Sequence, residues 1–458
     1  MKFYSSYYDN DVAALKPEWW ALESLAVLEE ELVVANLVNR DFDNFFVNAG
    51  DTVHVNKPGT FTANHKVKGS TTTVQDATST DLTVKLNQHI ETTFVLDDRD
   101  IQNSLPDLRA YFLAPAVRSL AKKVDAALVG EAANFYANSA GQIGVALTDD
   151  ALINLGRTFD ENLCPVDSRV LVVGPSGKAD LLRIDRFIDY DKTGNTSGLL
   201  TGQIGQAMGF NVFMSQTVGS NLRKTVPEIS ETVNGAKLKG ATSLTIDSAT
   251  GGEIAGSWFT IGGTDGVYYT TAAISATDTT INFLPALRDN VADNAVITFY
   301  AQAGDVKGAH AAGAIKIITD GYAAADDVPT VGQGITFGSS AVPYTVVRAT
   351  GTWASSATEI TLELNRPLDS AVSDDATIHS MPGGGQYNFA FRPSALTLVN
   401  RPLAPASAGV AAAVQNNGAF AIRVTIGYDM DYMKHKITLD TLLGVKVLDT
   451  AQGGILLN

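Results

Sequence analysis

Apolar residues recur at the spacing of a single helix face in two long stretches of the chain. Residues 16–38 begin near Pro17, which suits a first helical turn because no amide hydrogen is needed there. Residues 104–136 begin with Ser104 as an N-cap and predict a helix of about 45 Å, kinked at Pro115. The stripe of the first helix consists of Leu22, Leu25, Leu28, Leu32 and Ala35.

Between these helices apolar and polar residues alternate, which predicts a β-hairpin over residues 51–98. Its first strand, 51–56, stops at Lys57-Pro58-Gly59, and the second returns near 82–86. The connection, residues 59–80, is rich in Thr, Ser, Gly and Lys and has almost no core-forming side chains. A two-stranded excursion of this composition cannot build its own core. We therefore expect it to be mobile or to pack against another molecule.

Helical and extended patterns alternate after residue 145. Helices are predicted near 149–162 and 176–185, around a buried strand at 169–173. Sequence of the same kind resumes at 385–458. This order of elements indicates an α/β or α+β domain.

Residues 223–384 differ from both flanks, because short β-type runs rich in Thr, Ala, Gly and Asp replace the helical pattern. They contain an internal repeat of about 240–299 and 313–380. The duplication predicts an all-β domain inserted into the host fold, closing as one barrel from two halves or as two small units. The matched positions are Gly240, Ala241, Leu244, Ile246 and Asp247 with Gly313, Ala314, Ile317, Ile318 and Asp320; Thr260, Ile261 and Gly262 with Thr336, Phe337 and Gly338; Tyr269 and Thr270 with Tyr344 and Thr345; and Leu287, Val291, Asp293, Ala295 and Ile297 with Leu368, Val372, Asp374, Ala376 and Ile378.

Composition narrows the possible functions. The chain has 458 residues, 45% of them hydrophobic, which is enough for a large ordered core. No apolar run is long enough for a transmembrane helix, and the N-terminus lacks the pattern of a secretory signal. The single cysteine, Cys164, excludes internal disulfides. A net charge of −16 opposes sequence-independent binding to nucleic acid.

Two segments imitate known binding loops but lack essential residues. Residues 173–179 read like part of a phosphate-binding loop, yet Ala179 stands where a hydroxyl should bind magnesium. A strand–turn–helix junction capped by Ser176 is the better interpretation. Residues 189–194 begin like a calcium loop, but Leu200 occupies the position of the bidentate glutamate. We predict no catalytic, cofactor-binding or metal site, and the chain is not expected to be an enzyme.

Three segments near the host-fold boundaries and the C-terminus carry a resemblance to a known family. They are Gly202-x-Ile204-Gly205-x3-Gly209-Phe210-x-Val212-x2-Ser215, Ile437-x2-Asp440-x-Leu442-x-Gly444-Val445-x-Val447, and Ala390-Phe391-Arg392-Pro393-Ser394-Ala395-Leu396. With its parts in this order, the chain resembles the major capsid (coat) proteins of tailed bacteriophages over nearly its whole length. It looks closest to the Salmonella-type podovirus coat proteins that carry an inserted β-domain. The duplication departs from that family, because it makes the insert larger than a single small barrel.

The resemblance implies the tailed-phage major capsid fold. Its parts would be an N-terminal arm at 1–50, an E-loop hairpin at 51–98, a spine helix and peripheral region at 99–144, an axial domain at 145–222 and 385–458, and an inserted β-domain at 223–384.

The resemblance also implies that the chain assembles with copies of itself, as pentamers and hexamers, into the icosahedral shell around a phage genome. A scaffolding protein would direct assembly in the host cytoplasm, with a portal protein and, optionally, a decoration protein as further partners. Packaged DNA would be met only by non-specific proximity, and no membrane takes part. Assembly contacts are expected from Leu22, Leu25, Leu28, Leu32, Lys57, Lys66, Lys68, Arg109 and Arg118.

Two other classes of function stay open. An encapsulin-like shell of a cellular nanocompartment would share the fold but bind a cargo peptide and need no scaffolding partner; the large insertion argues against it. A β-rich adhesin or carbohydrate-binding surface protein would fit the Thr/Gly repeats, but the N-terminal half is helical and lacks an export signal.

Overall fold

The computed structural model describes residues 17–41, 52–57, 61–72, 74–75, 80–97, 112–188, 205–221, 227–247, 255–275, 278–300, 302–404, 411–416 and 420–458. Most of the predicted N-terminal arm, Ser104, Arg109 and the calcium-like loop lie outside the described residues. The described part mixes helices and sheets, so the α+β class is confirmed. The helices are α1 (Pro17–Glu31), α2 (Ala114–Gly130), α3 (Asp149–Glu161), α4 (Pro175–Leu181) and α5 (Asp185–Ile188), with short 3-10 segments at Val34–Asn36, Glu131–Asn138, Ala325–Asp327, Pro393–Ala395 and Thr450–Gln452.

Helix α1 is shorter than predicted and ends at Glu31. The chain turns after it because a buried carboxylate on α2, that of Asp125, binds the free backbone amides. Asp125 accepts hydrogen bonds from the amides of Val33 at 3.0 Å and Ala35 at 3.2 Å. Burial raises the pKa of Asp125, and these amide donors oppose the rise by favouring the charged form.

Most of the apolar stripe of α1 is covered by the chain itself, which corrects the expectation that Leu25, Leu28 and Leu32 make assembly contacts. Leu25, Leu28 and Leu32 are buried in the main core, where α1 packs against α2 and two C-terminal strands. Because these side chains are already packed, they cannot form contacts between subunits while the chain keeps this fold. Leu22 lies off this core face and is 56% exposed.

Helix α2 follows two π-helical residues, Phe112 and Leu113, and is itself followed by a bend. The α-helix begins at Ala114, so Pro115 lies in its first turn, where a missing amide hydrogen is tolerated. Residues 101–111 lie outside the described residues, so the kink at Pro115 stays a prediction. A bend that the sequence did not predict lies in the 3-10 segment Glu131–Asn138, where Phe135 has non-helical backbone angles, φ −96° and ψ 16°. The chain therefore changes direction at the C-terminal side of α2.

A seven-stranded sheet joins the two parts of the chain that flank the β-rich stretch. Its order is β4-β26-β21-β5-β7-β6, with β8 paired to β21. Helix α3 packs on it, and the predicted helix 149–162 and strand 169–173 are found with nearly the predicted bounds. The strands are β4 (Ser139–Ala140), β5 (Val170–Val173), β6 (Gln206–Ala207), β7 (Phe210–Met214), β8 (Ser220–Asn221), β21 (Gly385–Phe391) and β26 (Gly453–Leu457).

A second, five-stranded sheet packs against α1 and α2. Its order is β22-β25-β24-β23, and the long strand β3 pairs with β25 from Gln88 opposite Leu443 to Asp97 opposite Lys434. The strands are β3 (Gln88–Asp97), β22 (Leu396–Arg401), β23 (Ala411–Asn416), β24 (Ala421–Asp429) and β25 (Lys434–Val447). Residues 88–97 thus belong to an intramolecular sheet, and only β1 (Thr52–Lys57) and β2 (Thr80–Lys85) form the separate hairpin.

Residues 227–380 fold into two β units of the same topology. The first β unit, residues 227–300, is a six-stranded sheet ordered β10-β13-β12-β11-β14-β9, and the second β unit, residues 302–380, is a closed barrel ordered β15-β16-β19-β18-β17-β20. In the first unit only a bridge between Val233 and Ile246 completes the ring. The strands are β9 (Pro227–Thr232), β10 (Ser243–Thr245), β11 (Trp258–Ile261), β12 (Tyr268–Thr270), β13 (Thr280–Leu284), β14 (Val296–Tyr300), β15 (Gln302–Val306), β16 (Lys316–Asp320), β17 (Gly334–Phe337), β18 (Tyr344–Thr350), β19 (Ile360–Leu364) and β20 (Thr377–Ser380).

Strand register shows which positions of the two units correspond. Leu244 faces Ile281 in the first unit as Ile317 faces Leu362 in the second. The single bridge Lys237–Val291 likewise recurs as His310–Val372.

The same comparison corrects the sequence alignment at two places. Tyr344 faces Ile335 as Tyr268 faces Phe259, so Tyr344 corresponds to Tyr268 and not to Tyr269. Ile246 bridges Val233 as Thr319 pairs with Val306, so Ile246 corresponds to Thr319 and not to Ile318.

Candidate assembly surface

The hairpin β1–β2 extends from the body of the chain and presents large apolar side chains at its tip. The strands pair from Thr52 opposite Lys85 to Lys57 opposite Thr80. Beyond them, Phe61 is 66% exposed, Val67 71% and Val74 86%. Leaving three such side chains in water gains no hydrophobic stabilisation, so the tip has the composition of a contact surface.

The tip has a defined path. The amide of Thr62 donates to Oε1 of Gln75 at 2.8 Å, and the side-chain amide of Gln75 donates back to the carbonyl of Thr62. A turn follows, with the amide of Ser70 bonded to the carbonyl of Val67 at 3.1 Å and Gly69 at φ +90°. The two limbs are therefore held together at residues 62 and 75.

The base of the hairpin is fixed to the chain's own sheet. Val84 and Leu86 are buried with Val399 and Leu442 in a small separate core. A side chain at Gly444 would put its Cβ 2.2 Å from the carbonyl oxygen of Lys85, so the backbones are in close contact there. The base of the hairpin is therefore packed against the chain's own sheet, whereas the described residues of its tip are exposed to solvent.

The charge of the hairpin is opposite to that of the whole chain. Residues 52–75 contain three lysines and no aspartate or glutamate, whereas the chain carries a net charge of −16. Lys66 and Lys68 are exposed at the tip. A basic, apolar tip on an acidic protein is complementary in charge to the acidic surfaces of other copies.

Other predicted contact residues lie on helices α1 and α2 or outside the described residues. Arg118 is exposed on α2, and its Nε lies 2.8 Å from Oε1 of Glu31 on α1, so it already has an intramolecular partner. The side chain of Lys57 and all of Arg109 lie outside the described residues. Of the nine predicted residues, Leu22, Lys66, Lys68 and Arg118 are exposed, and their role in assembly stays a prediction.

A second group of exposed apolar residues was missed by the sequence reasoning. Met430, Tyr432 and Met433 lie in the turn between β24 and β25, and Tyr428 is partly exposed beside them. The signal was present, because Tyr428, Met430 and Tyr432 alternate with aspartates in a turn where polar residues are usual.

The phosphate-loop look-alike is a strand–turn–helix junction, as predicted, but Ser176 is not its cap. The amide of Gly174 donates to Oδ1 of Asn388 at 2.9 Å, and that of Gly177 donates to Oε1 of Gln386 at 3.2 Å. The Ser176 hydroxyl itself donates to Gln386 at 2.9 Å. Amides at the start of α4 are therefore occupied by side chains of β21, which leaves them no role in holding an anion.

Other chemistry is sparse in the described residues. They contain no cluster of three or more His, Cys, Asp or Glu side chains placed to hold a metal ion. Within the same ranges no helix is both long and apolar enough to cross a membrane. Cys164 is buried, and burial raises the pKa of its thiol, which lowers its reactivity.

Comparison with known proteins gives structural likeness without sequence relatives. The chain matches no protein-family model and no curated protein. A solved structure from Mycobacterium phage Che8 is 14% identical with a TM-score of 0.45, covering 93% of this chain and 90% of that chain. The capsid of cyanophage P-SCSP1u is 10% identical with a TM-score of 0.41, covering 90% and 84%. The mature capsid of bacteriophage PhiM1 is 10% identical with a TM-score of 0.38, covering 88% and 81%.

Proposed function

We propose that the protein is the major capsid protein of a tailed phage, a subunit that assembles with copies of itself into a closed icosahedral shell. The observation that carries the proposal is the hairpin tip. Phe61, Val67 and Val74 are exposed to solvent there, although the base of the hairpin is packed. Such a tip is stabilising only once it is covered, and a second copy supplies the acidic surface that its lysines favour.

The geometry of this contact favours rings and shells over simple dimers. The tip of one copy contacts a different surface on its neighbour, so the interface is heterologous. Heterologous contacts repeat from copy to copy and close into a ring when the rotation permits. Pentamers and hexamers of the chain are the closed rings we expect.

Further parts of the proposal follow from the resemblance in sequence. A scaffolding protein directs assembly in the host cytoplasm, a portal protein occupies one vertex, and a decoration protein is an optional partner. Within the tailed phages we place the protein nearest to the Salmonella-type podovirus coat proteins. Residues 223–384 are the inserted domain of this scheme, enlarged by duplication.

Deleting residues 60–80 tests the proposal. The chain should stay folded, because the described tip residues are exposed and its base is anchored separately at Val84 and Leu86. Electron microscopy of the variant with its scaffolding partner should show no stable shells, whereas the unchanged chain forms them. A deletion that unfolds the isolated chain, or one that still gives closed shells, would rule out the hairpin as the assembly contact.

A further inference from the structure

The second β unit is bound to the C-terminal end of α2. The hydroxyl of Thr345 donates to the carbonyl of Gly130 at 2.8 Å, and a side chain at Gly130 would meet Asn365 at 2.5 Å. Glu131 is only 2% exposed; it accepts a hydrogen bond from Nδ2 of Asn365 at 2.9 Å, and its carboxylate lies 3.0 Å from Nε of Arg366. The Nε–H of Arg366 is not aligned on that oxygen, so the contact is ionic. Burial raises the pKa of Glu131, and the charge of Arg366 opposes the rise.

The first β unit is bound on the other side of the bend at 131–138. Nη2 of Arg157 on α3 lies 3.0 Å from Oδ1 of Asp289, and Nζ of Lys239 lies 2.7 Å from Oε1 of Glu161. Further hydrogen bonds join Asn154 to Asp265, Gly266 to Gly141, and Arg288 to Asn138. The first unit therefore holds α3 and the residues that follow the bend.

The two β units contact each other through a tight seam. The indole Nε1 of Trp258 donates to the hydroxyl of Thr336 at 3.2 Å, and both side chains are fully buried. Gly256, at φ +108°, lies so close to the second unit that a Cβ there would be 2.6 Å from the carbonyl of Gly338 and 3.3 Å from the ring of His379. Only a glycine fits this position.

The duplicated units contact different parts of the host. Register places Leu284 and Pro285 of the first unit where the second has Asn365 and Arg366. The buried charge pair with Glu131 therefore belongs to the second unit alone. The two β units share a topology, but they contact opposite sides of the bend at 131–138.

From these three contact regions we infer that the two β units form a splint across the bend between α2 and α3, and that the seam at Gly256 and Trp258 transmits the constraint from one side to the other. The splint fixes the angle between the helix α2 and the sheet that carries α3. This inference does not depend on whether the chain assembles.

Hydrogen exchange by mass spectrometry on the full-length chain tests the splint. The double change Glu131→Gln with Arg366→Met removes the buried charge pair, and so weakens the anchor on α2, without leaving a buried unpaired charge. With the seam intact, exchange should rise by at least about fivefold both at the end of α2 and in α3. With Gly256→Ala added, the rise from removing the anchor should be confined to α2.

The control for the seam is Gly240→Ala. Gly240 has φ +89°, and a Cβ there would meet no atom within 4 Å, so alanine adds backbone strain without touching the seam. It should leave the coupling to α3 intact. Thr336→Val removes the acceptor of Trp258 without added bulk and provides the same test should Gly256→Ala fail to fold. Exchange in α3 that does not respond to loss of the anchor, or equal uncoupling by Gly240→Ala, would overturn the inference.

Discussion

Changing Phe61, Val67 and Val74 together to serine should prevent self-association and leave the folded chain as stable as before. The three side chains are 66%, 71% and 86% exposed, so the isolated chain buries little of their surface. Substitutions at such positions change the free energy of unfolding by about 0.5 kcal/mol or less each.

The effect on assembly should be much larger. Burying a large apolar side chain contributes about 1.5–3 kcal/mol. We take the lower figure, because binding also immobilises the side chains, so three of them contribute about 4.5 kcal/mol to each contact. At about 1.4 kcal/mol per factor of ten, losing this contribution weakens each contact roughly a thousandfold.

Light scattering against protein concentration measures this loss, with thermal unfolding of the isolated chain as the check on folding. The matched control is Val331→Ser, which changes a 55% exposed valine on the second β unit. The control should assemble at the same concentration as the unchanged chain. Assembly of the triple variant at that concentration would refute the reasoning, and so would a large loss of stability in the isolated chain.

Three further predictions concern charge. Arg366→Met alone should destabilise the chain by about 3–5 kcal/mol in chemical denaturation, because Glu131 is left buried without its charged partner. Adding Glu131→Gln should restore most of the lost stability. If the two substitutions lowered the stability additively, this reasoning would be wrong. Burial lowers the pKa of His379 to about 4, while the unfolded chain takes up the proton near pH 6.5. Stability should therefore fall by up to roughly 3 kcal/mol as the pH drops from 6.5 to 4, and His379→Gln should flatten this dependence, which denaturation at several pH values measures. Changing Lys66 and Lys68 to glutamate should slow assembly, most strongly at low salt. Stopped-flow light scattering measures the assembly rate, and an unchanged rate would contradict charge complementarity between copies.

Local pattern predicted the elements that depend on nearby residues. Helix α3 is found close to its predicted bounds because Thr148 caps it, accepting a hydrogen bond from the amide of Ala151, and its apolar positions face the sheet. Strand β5 is buried at every position, which its run of valines and leucine indicated. The repeat was visible because Leu287, Val291, Asp293, Ala295 and Ile297 recur with identical spacing as Leu368, Val372, Asp374, Ala376 and Ile378.

Errors arose where distant residues decide the structure. β3 lies within the predicted hairpin 51–98, but its partner is β25, and Thr93 lies beside Thr438, 345 residues away in the sequence. The end of α1 is set by Asp125, about which the local pattern of α1 carries no information. The alignment of Tyr344 was one residue off because Tyr344-Thr345 is identical to Tyr269-Thr270 in sequence, whereas strand pairing places Tyr344 opposite Ile335 as Tyr268 lies opposite Phe259.

The candidate surface was predicted in part. The low apolar content of residues 59–80 identified the hairpin as a segment without its own core, and the described residues of its tip are exposed. The leucine stripe of α1 has the same appearance as a docking surface in sequence, and only the tertiary structure shows that its own chain covers it. Periodicity reveals an apolar face but not which molecule buries it.

Electron microscopy of the purified chain, with and without its scaffolding partner, tests the central claim most directly. We predict closed shells with the partner, in which the hairpin tip of each copy lies against a neighbouring copy, and aberrant assemblies without it. Small soluble oligomers alone, across a range of salt and protein concentrations, would contradict the claim that this chain is a shell subunit.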